Sequence, residues 1–317
     1  MGIASGRKVA IVGCGFVGST TAFSLMGTGL FTEMVLIDMD QDRAEGEALD
    51  ISHGTVFASP CEIYAGTYAD AADADIMIIT AGAGQAPGET RIDLAGKNVS
   101  IMKSIINEVN DSGFNGILLI LSNPVDVLTY AATTLSNLPE NHILGSGTVL
   151  DTGRLRHLIG AELDVDSRNV HAHVIGEHGD SEFIAWSGAH VAGIPLEDFF
   201  HMRTDHSFET FRNETSADVR DAAYEIIAKK KATYYGIAMA AARICMAIVR
   251  DEKSVLAVSH VLHGEYSIEG VALSMPCIIG SQGIECSMPP VLNYQEQQAL
   301  RKSADTLRSV IEDVGLE

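Results

Sequence analysis

The segment Ile175-Gly176-Glu177-His178-Gly179-Asp180 places an imidazole among two glycines and two acids. The glycines let the backbone turn and project His178 into a cleft. The acids favour its protonated form. Upstream, Asp151-Thr152-Gly153-Arg154 offers a carboxylate to orient such a histidine and a guanidinium to hold an anion. Together these groups suit proton transfer on a substrate that carries its own carboxylate. His171-Ala172-His173 invites a competing metal reading, because alternate residues of a strand share a face. The pairing of His178 with Asp151 and the nucleotide motif described next favour a proton carrier, so no metal site is expected. His173 reads as an ordinary core or surface histidine.

The chain start supplies the second half of the chemistry. Gly13-Cys14-Gly15-Phe16-Val17-Gly18 fits G-x-G-x-x-G, follows a strand-like run, and opens a helix-like one. Asp38 ends the next apolar run, at the distance a ribose-binding acid requires. Gly13 permits a tight turn, Gly15 admits a pyrophosphate to the backbone, and Gly18 allows close helix–strand packing. The helix N-terminus faces the phosphates. Asp38 accepts from ribose hydroxyls and repels a 2′-phosphate, so NAD is expected rather than NADP.

Two loops complete the set. Ala81–Arg91 contains Gly82, Gly84 and a Pro87-Gly88 turn. It reads either as a lid that carries Arg91 over the ligand crevice or as a solvated loop with its arginine in salt bridges. Ser122-Asn123-Pro124 ends another apolar run. Asn123 can donate to a carbonyl or hydroxyl and can also cap the helix that starts at Val125, since the two roles are not exclusive, and the turn admits a cis Pro124.

The elements that must hold these groups are legible as apolar runs. Lys8–Val12, Met34–Ile37, Ile76–Thr80, Ile117–Ser122 and His142–Gly145 read as strands, with helical patterns at Gly18–Thr28, Arg91–Ser112 and Val125–Leu135. Unbroken apolar strands alternating with helices imply a buried parallel sheet covered on both faces. Further on, Val170–Ile175, Val255–Val261 and Gly270–Ile279 read as strands. Ser216–Ala247 carries one long helical pattern, and Tyr294–Val314 reads as an amphipathic helix. The fold expected is α/β: a doubly wound parallel sheet of the Rossmann type over 1–145, then an α/β (α+β) substrate-binding domain over 146–317.

Composition narrows the function classes. A net charge of −21 repels nucleic acid and acidic membranes. No stretch approaches the ~20 uncharged apolar residues of a membrane helix. Met1–Lys8 lacks a secretory layout and matches a myristoylation signal poorly, because Gly6 stands where a hydroxyl is wanted. Cys14, Cys61, Cys245, Cys277 and Cys286 are scattered and odd in number, which fits reduced thiols in a cytoplasmic protein.

Taken in order, Gly13–Gly18, Gln85–Arg91, Ser122–Pro124, Asp151–Arg154, Gly176–Asp180 and Ala232-Thr233-Tyr234-Tyr235-Gly236 occur at family spacing. On these residues the chain resembles the L-lactate/malate dehydrogenase family, and its bacterial lactate-type members most. The resemblance runs from about Lys8 to the C-terminal helix. It implies that His178 exchanges a proton with the C2 oxygen of the substrate while a hydride passes between nicotinamide and C2. It also implies that Asp151 fixes the imidazole, Arg154 grips the carboxylate, and Arg91 polarises the carbonyl. Asn123 contacts the carbonyl region and the nicotinamide ribose, and Ser146 and Ile237 flank the nicotinamide.

Gln85 and Thr233 match the positions that read the far end of the substrate, where malate enzymes usually carry arginine. A neutral Gln85 implies pyruvate and L-lactate. A malate or broader 2-hydroxyacid dehydrogenase is the alternative, and a non-catalytic NAD-binding protein is a more distant one. Arg156 and His171 match positions that bind fructose 1,6-bisphosphate between subunits in allosteric members, and the family implies a homotetramer. Gly153 and Lys231 depart from the alanine and glycine usual at those places.

Overall fold

Short runs such as Val-Ala-Ile-Val are apolar on both sides because the strands they form are covered on both faces. The computed structural model describes residues 7–84 and 91–316. In chain order it contains β1 (Lys8–Val12), α1 (Phe16–Thr28), β2 (Glu33–Ile37), α2 (Gln41–His53), β3 (Glu62–Ala65), β4 (Ile76–Ile79), α3 (Arg91–Ser112), β5 (Ile117–Ile120), α4 (Val125–Leu135) and β6 (Ile143–Gly145). These strands pair in parallel in the order β3-β2-β1-β4-β5-β6. The order reverses between β1 and β4, and ligands bind at such a switch point, beyond the carboxyl ends of the strands.

Successive residues of β1 serve opposite cores. Ala10 and Val12 join the cluster that includes α3 and α4, whereas Val9 and Ile11 join the cluster that includes α1 and α2. The apolar-run pattern misses α2 and β3. In α2 only Ala44, Ala48 and Ile51 are buried, and β3 is a partly exposed edge strand.

The second half contains α5 (Val149–Leu163), β7 (Val170–His171), β8 (Val174–Ile175), β9 (Phe183–Ile184), β10 (His190–Val191), β11 (Ile194–Pro195), α6 (Leu196–Arg203), α7 (Phe208–Lys230), α8 (Tyr235–Val249), β12 (Ser254–His263), β13 (Glu269–Gly280), β14 (Gly283–Ser287) and α9 (Tyr294–Asp313). Antiparallel β12–β14 extend the parallel sheet, joining it where Ser259 lies opposite Gly145 of β6. The end of β6 is therefore the point where one continuous sheet changes from parallel to antiparallel. A separate core of Leu155, Ile159, Phe200 and Phe211 packs α5, α6 and α7 together. Leu300, Leu307 and Ile311 of α9 are buried, as their helical spacing requires.

Two expectations need correction. Val170–Ile175 is not one strand: β7 pairs with β10 and β8 with β9, in separate small sheets. Ser216–Ala247 is not one helix: α7 ends at Lys230, Lys231 takes φ 72°, and α8 starts at Tyr235. No glycine or proline marks that break, so the helical pattern runs through it. No helix among the described residues is long and apolar enough to cross a membrane.

Candidate active site

The turn between β1 and α1 is shaped by what a side chain would strike. Gly13 has φ 98°, and a Cβ there would lie 2.6 Å from the Ala81 nitrogen. A Cβ on Gly18 would lie 1.8 Å from the Gly13 carbonyl oxygen. Gly15 differs, because no described atom lies within 4 Å of its would-be Cβ. That open space is where a dinucleotide pyrophosphate requires close approach to the backbone. Among the described residues no side chain caps α1 at Gly15, so its leading N–H groups remain for an anion. Phe16 and Val17 form the first turn of α1.

A cleft of about 660 Å³ opens beside this turn, lined by Gly13, Gly15, Asp38, Tyr68, Thr80 and Gly82 among others. Asp38 accepts from the Cys14 N–H through Oδ2 at 2.6 Å and from the Asp40 N–H through Oδ1 at 3.0 Å. It thus braces the glycine turn as well as facing the cleft. The steric pattern and the acid fit an NAD dinucleotide.

The β4–α3 and β5–α4 loops meet at the same end of the sheet. Asn98 of α3 accepts from the Ala83 N–H at 2.7 Å, and its Nδ2 donates to the Asn123 carbonyl at 2.8 Å. Sequence reasoning gave Asn98 no role; it is a buried amide within an amphipathic helix. Gln85 lies outside the described residues, as does most of the expected lid. Arg91 is placed as the first residue of α3. The Asn123–Pro124 bond is cis. Pro124, not Asn123, occupies the N-cap of α4, and among the described residues no side chain caps that helix. Asn123 is exposed at the crevice end of β5. Buried Ser146 follows β6 at the same end.

Asp151, Arg154 and His178 come together. Asp151 sits in the first turn of α5, almost fully buried. Its Oδ2 is 2.7 Å from His178 Nδ1, and its Oδ1 accepts from Arg154 Nη1 at 2.6 Å. One carboxylate therefore orients the imidazole and holds the guanidinium. Gly176, at φ 93°, turns the chain here and exchanges backbone hydrogen bonds with Ser274 of β13. The His178 N–H donates to Asp126 Oδ2 at 2.7 Å, and Asp126 Oδ1 accepts from Ser259 at 2.6 Å. Asp126 is thus an anchor that sequence reasoning missed. Its signal was an acid inside the apolar run Val-Asp-Val-Leu of α4, since a buried acid needs partners. Glu182 was missed as well; its Oε2 lies 3.9 Å from His178 Nδ1.

The electrostatics follow from burial and pairing. Burial lowers the proton affinity of His178, but Asp151, Glu182 and Asp126 more than offset it and raise the pKa to about 9. Burial raises that of Asp151, yet His178 and Arg154 hold it below the ordinary carboxylate value. Burial carries Asp126 up to about 6, against the hydrogen bonds from Ser259 and His178. At neutral pH the imidazole is cationic and Asp151 anionic. Nδ1–H donates to Asp151, so Nε2 is the nitrogen left for proton exchange.

The start of α8 closes the arrangement. A Cβ on Gly236 would lie 2.9 Å from Leu150, so this turn packs tightly on the start of α5. Thr233 precedes Tyr234, whose ring stacks on Phe16 at 5.4 Å. Ile237 packs against the core on the α1 side of the sheet. Tyr234, next to Thr233, therefore ties the start of α8 to the dinucleotide turn.

The histidines near β7 do not assemble. His171 is exposed and stacks on His190 at 4.8 Å. The strand ends at His171, so His171 and His173 do not share a strand face. His173 Nδ1 is buried without a hydrogen-bond partner among the described residues. Arg156 donates to the carbonyls of Ser167 and Arg168 at 3.2 and 3.3 Å. Burial, His190 and the nearby Arg156 charge lower the pKa of His171.

Comparison with known proteins bears on this geometry. Residues 7–145 match the family model described as lactate/malate dehydrogenase, NAD binding domain. Residues 148–316 match lactate/malate dehydrogenase, alpha/beta C-terminal domain. The chain is 50% identical over 310 residues to an L-lactate dehydrogenase of Acetivibrio thermocellus, covering 98% of each chain. It is 50% identical over 302 residues to one of Priestia megaterium, covering 95% of each. Among solved structures, a lactate dehydrogenase from a Medee basin deep-sea metagenome library superposes with a TM-score of 0.95 at 45% identity, covering 98% of this chain and 99% of that one. The ligands-bound minor L-lactate dehydrogenase of Enterococcus mundtii gives 0.94 at 43% identity, with the same coverage.

Proposed function

The chain belongs to the lactate/malate dehydrogenase family and is an NAD-dependent dehydrogenase; on that premise we propose that it catalyses the reversible reduction of pyruvate to L-lactate. The observation that carries the proposal is the division of one buried carboxylate: Asp151 orients His178 with one oxygen and holds Arg154 with the other. Bound NADH supplies the hydride that C2 receives.

The chain's own residues do the rest. His178 donates a proton from Nε2 to the C2 oxygen during reduction and takes it back during oxidation. Asp151 fixes the tautomer and stabilises the imidazolium. Arg154 pairs with the substrate carboxylate through a two-pronged contact that lysine could not copy. Arg91, the first residue of α3, polarises the carbonyl. Asn123 contacts the carbonyl region and the nicotinamide ribose, with Ser146 and Ile237 beside the nicotinamide. Gly13, Gly15, Phe16, Val17, Gly18 and Asp38 hold the rest of the dinucleotide. On this reading 1–145 is the cofactor domain and 146–317 the substrate domain.

Gln85 and Thr233 select the substrate. Oxaloacetate brings a second carboxylate, and burying it against neutral Gln85 costs several kcal/mol on the order of an uncompensated charge. Steady-state kinetics of the unmodified protein and Gln85→Arg with both acids test this. The unmodified protein favours pyruvate, and Gln85→Arg reverses the order. Equal or better oxaloacetate turnover by the unmodified protein refutes it.

Arg156 and His171 are the residues for a fructose 1,6-bisphosphate effector shared between subunits of a homotetramer. Arg156 lies near enough to His171 for its charge to lower the His171 pKa, which supports this. Titrating the sugar bisphosphate at low pyruvate lowers the half-saturation point; an unchanged value excludes the effector. None of the five cysteines is disulfide-bonded, in keeping with a cytoplasmic enzyme.

A further inference from the structure

Asp151, His178 and Glu182 bring their ligand atoms within 4.8 Å of one another. Asp151 is fully engaged by His178 and Arg154. Glu182 has no such assignment, yet its side chain is only 6% exposed and its Oε2 lies 3.9 Å from His178 Nδ1. The hairpin explains the placement. Ile175 of β8 pairs with Phe183 of β9, so the next position along returns Glu182 to the level of Gly176, beside the imidazole. The separation is too long for a hydrogen bond, and the group acts by charge.

We infer that Glu182 is a positioning residue for proton transfer, whose buried carboxylate sets the pH at which His178 gives up its proton. This deepens the dehydrogenase reading and rests on it. Asp151 and Arg154 from α5, His178, and Arg220 from α7 act on Glu182 by charge, and Arg212 of α7 and Glu296 of α9 line the cavity it borders. Asp126 from α4 also acts on His178. Burial and Asp151 push Glu182 up to about 8, against His178, Arg154 and Arg220. Glu182 and His178 therefore titrate as a pair. While Glu182 is ionised it retains the imidazolium to higher pH. With a neutral side chain in its place, His178 has one anion fewer and deprotonates earlier. Glu182 also lines a cavity of about 240 Å³ between α7 and α9, with Arg212, Arg220 and Gln295.

The test compares the unmodified protein with Glu182→Gln in two readouts. One is the alkaline limb of kcat/KM for pyruvate against pH, scaled to the acid plateau of each protein. The other is the His178 Cε1–H resonance in the free protein, identified by its loss in His178→Gln. Both midpoints move acid by about one unit, the lower end of what one nearby charge produces. Glu182→Asp restores part of the shift. Glu182→Ala, which vacates the site, moves both midpoints in the same direction and carries the test if Glu182→Gln does not fold. Unmoved midpoints in a folded variant overturn the inference. Failure of the unmodified protein to oxidise NADH with pyruvate would instead strike the dehydrogenase reading, while the resonance still reports on Glu182.

Discussion

At Gly13–Gly18 the protein prepares a site with backbone and empty space, whereas at Asp151, Arg154 and His178 it prepares one with side chains and charge. A Cβ at Gly18 would meet the Gly13 oxygen at 1.8 Å, and one at Gly15 would meet no described atom within 4 Å. At the second region, one buried carboxylate is committed on both oxygens, and the histidine it holds is anchored by a second buried acid. The first site fails by gaining a methyl group. The second fails by losing a charge. Cofactor binding and proton transfer are therefore separable by substitution, although the Phe16–Tyr234 stack ties the dinucleotide turn to the start of α8.

The largest separation comes from Asp151→Asn. With the carboxylate gone, kcat/KM for pyruvate falls about 10²- to 10⁴-fold, while fluorescence titration shows NADH binding within a few-fold of the unmodified protein. A comparable loss of NADH affinity would show that the two regions are not separable. The pH profile sharpens the same contrast. The His178 pKa is raised from 6.5 to about 9, so the donor form predominates at neutral pH. Pyruvate reduction declines as pH rises through about 9, and lactate oxidation, which uses the neutral ring, increases over that range. Rates of both directions from pH 6 to 10 check the sign. NADH affinity has no reason to follow that curve.

Within the glycine turn the contrast is finer. Gly18→Ala forces α1 away from β1 and costs about 1–3 kcal/mol of stability, as overpacking does, together with NADH affinity. Gly15→Ala leaves the melting temperature nearly unchanged and weakens NADH about tenfold, or about 1.4 kcal/mol. Melting curves and NADH titrations of the two variants distinguish them. If Gly15→Ala melts as low as Gly18→Ala, the open space at Gly15 is not a ligand cradle.

The dinucleotide turn was legible because its determinants are local. The glycines, the apolar run before them and Asp38 lie within one strand–helix–strand unit, where spacing and geometry correspond. His178, Asp151 and Arg154 were recognisable as types, and Asp151 pairs with His178 as its type suggested, but its second bond, to Arg154, was not foreseen. Asp126, Glu182 and Ser259 were not found, because their relation to His178 arises only when α4, the β8–β9 hairpin and β12 pack together. The break at Lys231 was obscured for a different reason, although the glycine usual at that place in the family marks it. The residue there lacks the type its backbone favours, since left-handed φ at a helix end usually selects glycine. Lys231→Gly accordingly stabilises the protein by about 1 kcal/mol, the smallest effect expected here, and a modest rise in melting temperature reads it.

The central claim is that the proton moves through His178 while the dinucleotide is held elsewhere. It is tested most directly by measuring NADH binding and pyruvate turnover together in His178→Ala. The account predicts near-normal NADH affinity, with turnover reduced about 10²- to 10⁴-fold, the usual contribution of a general acid. Retained turnover would contradict it.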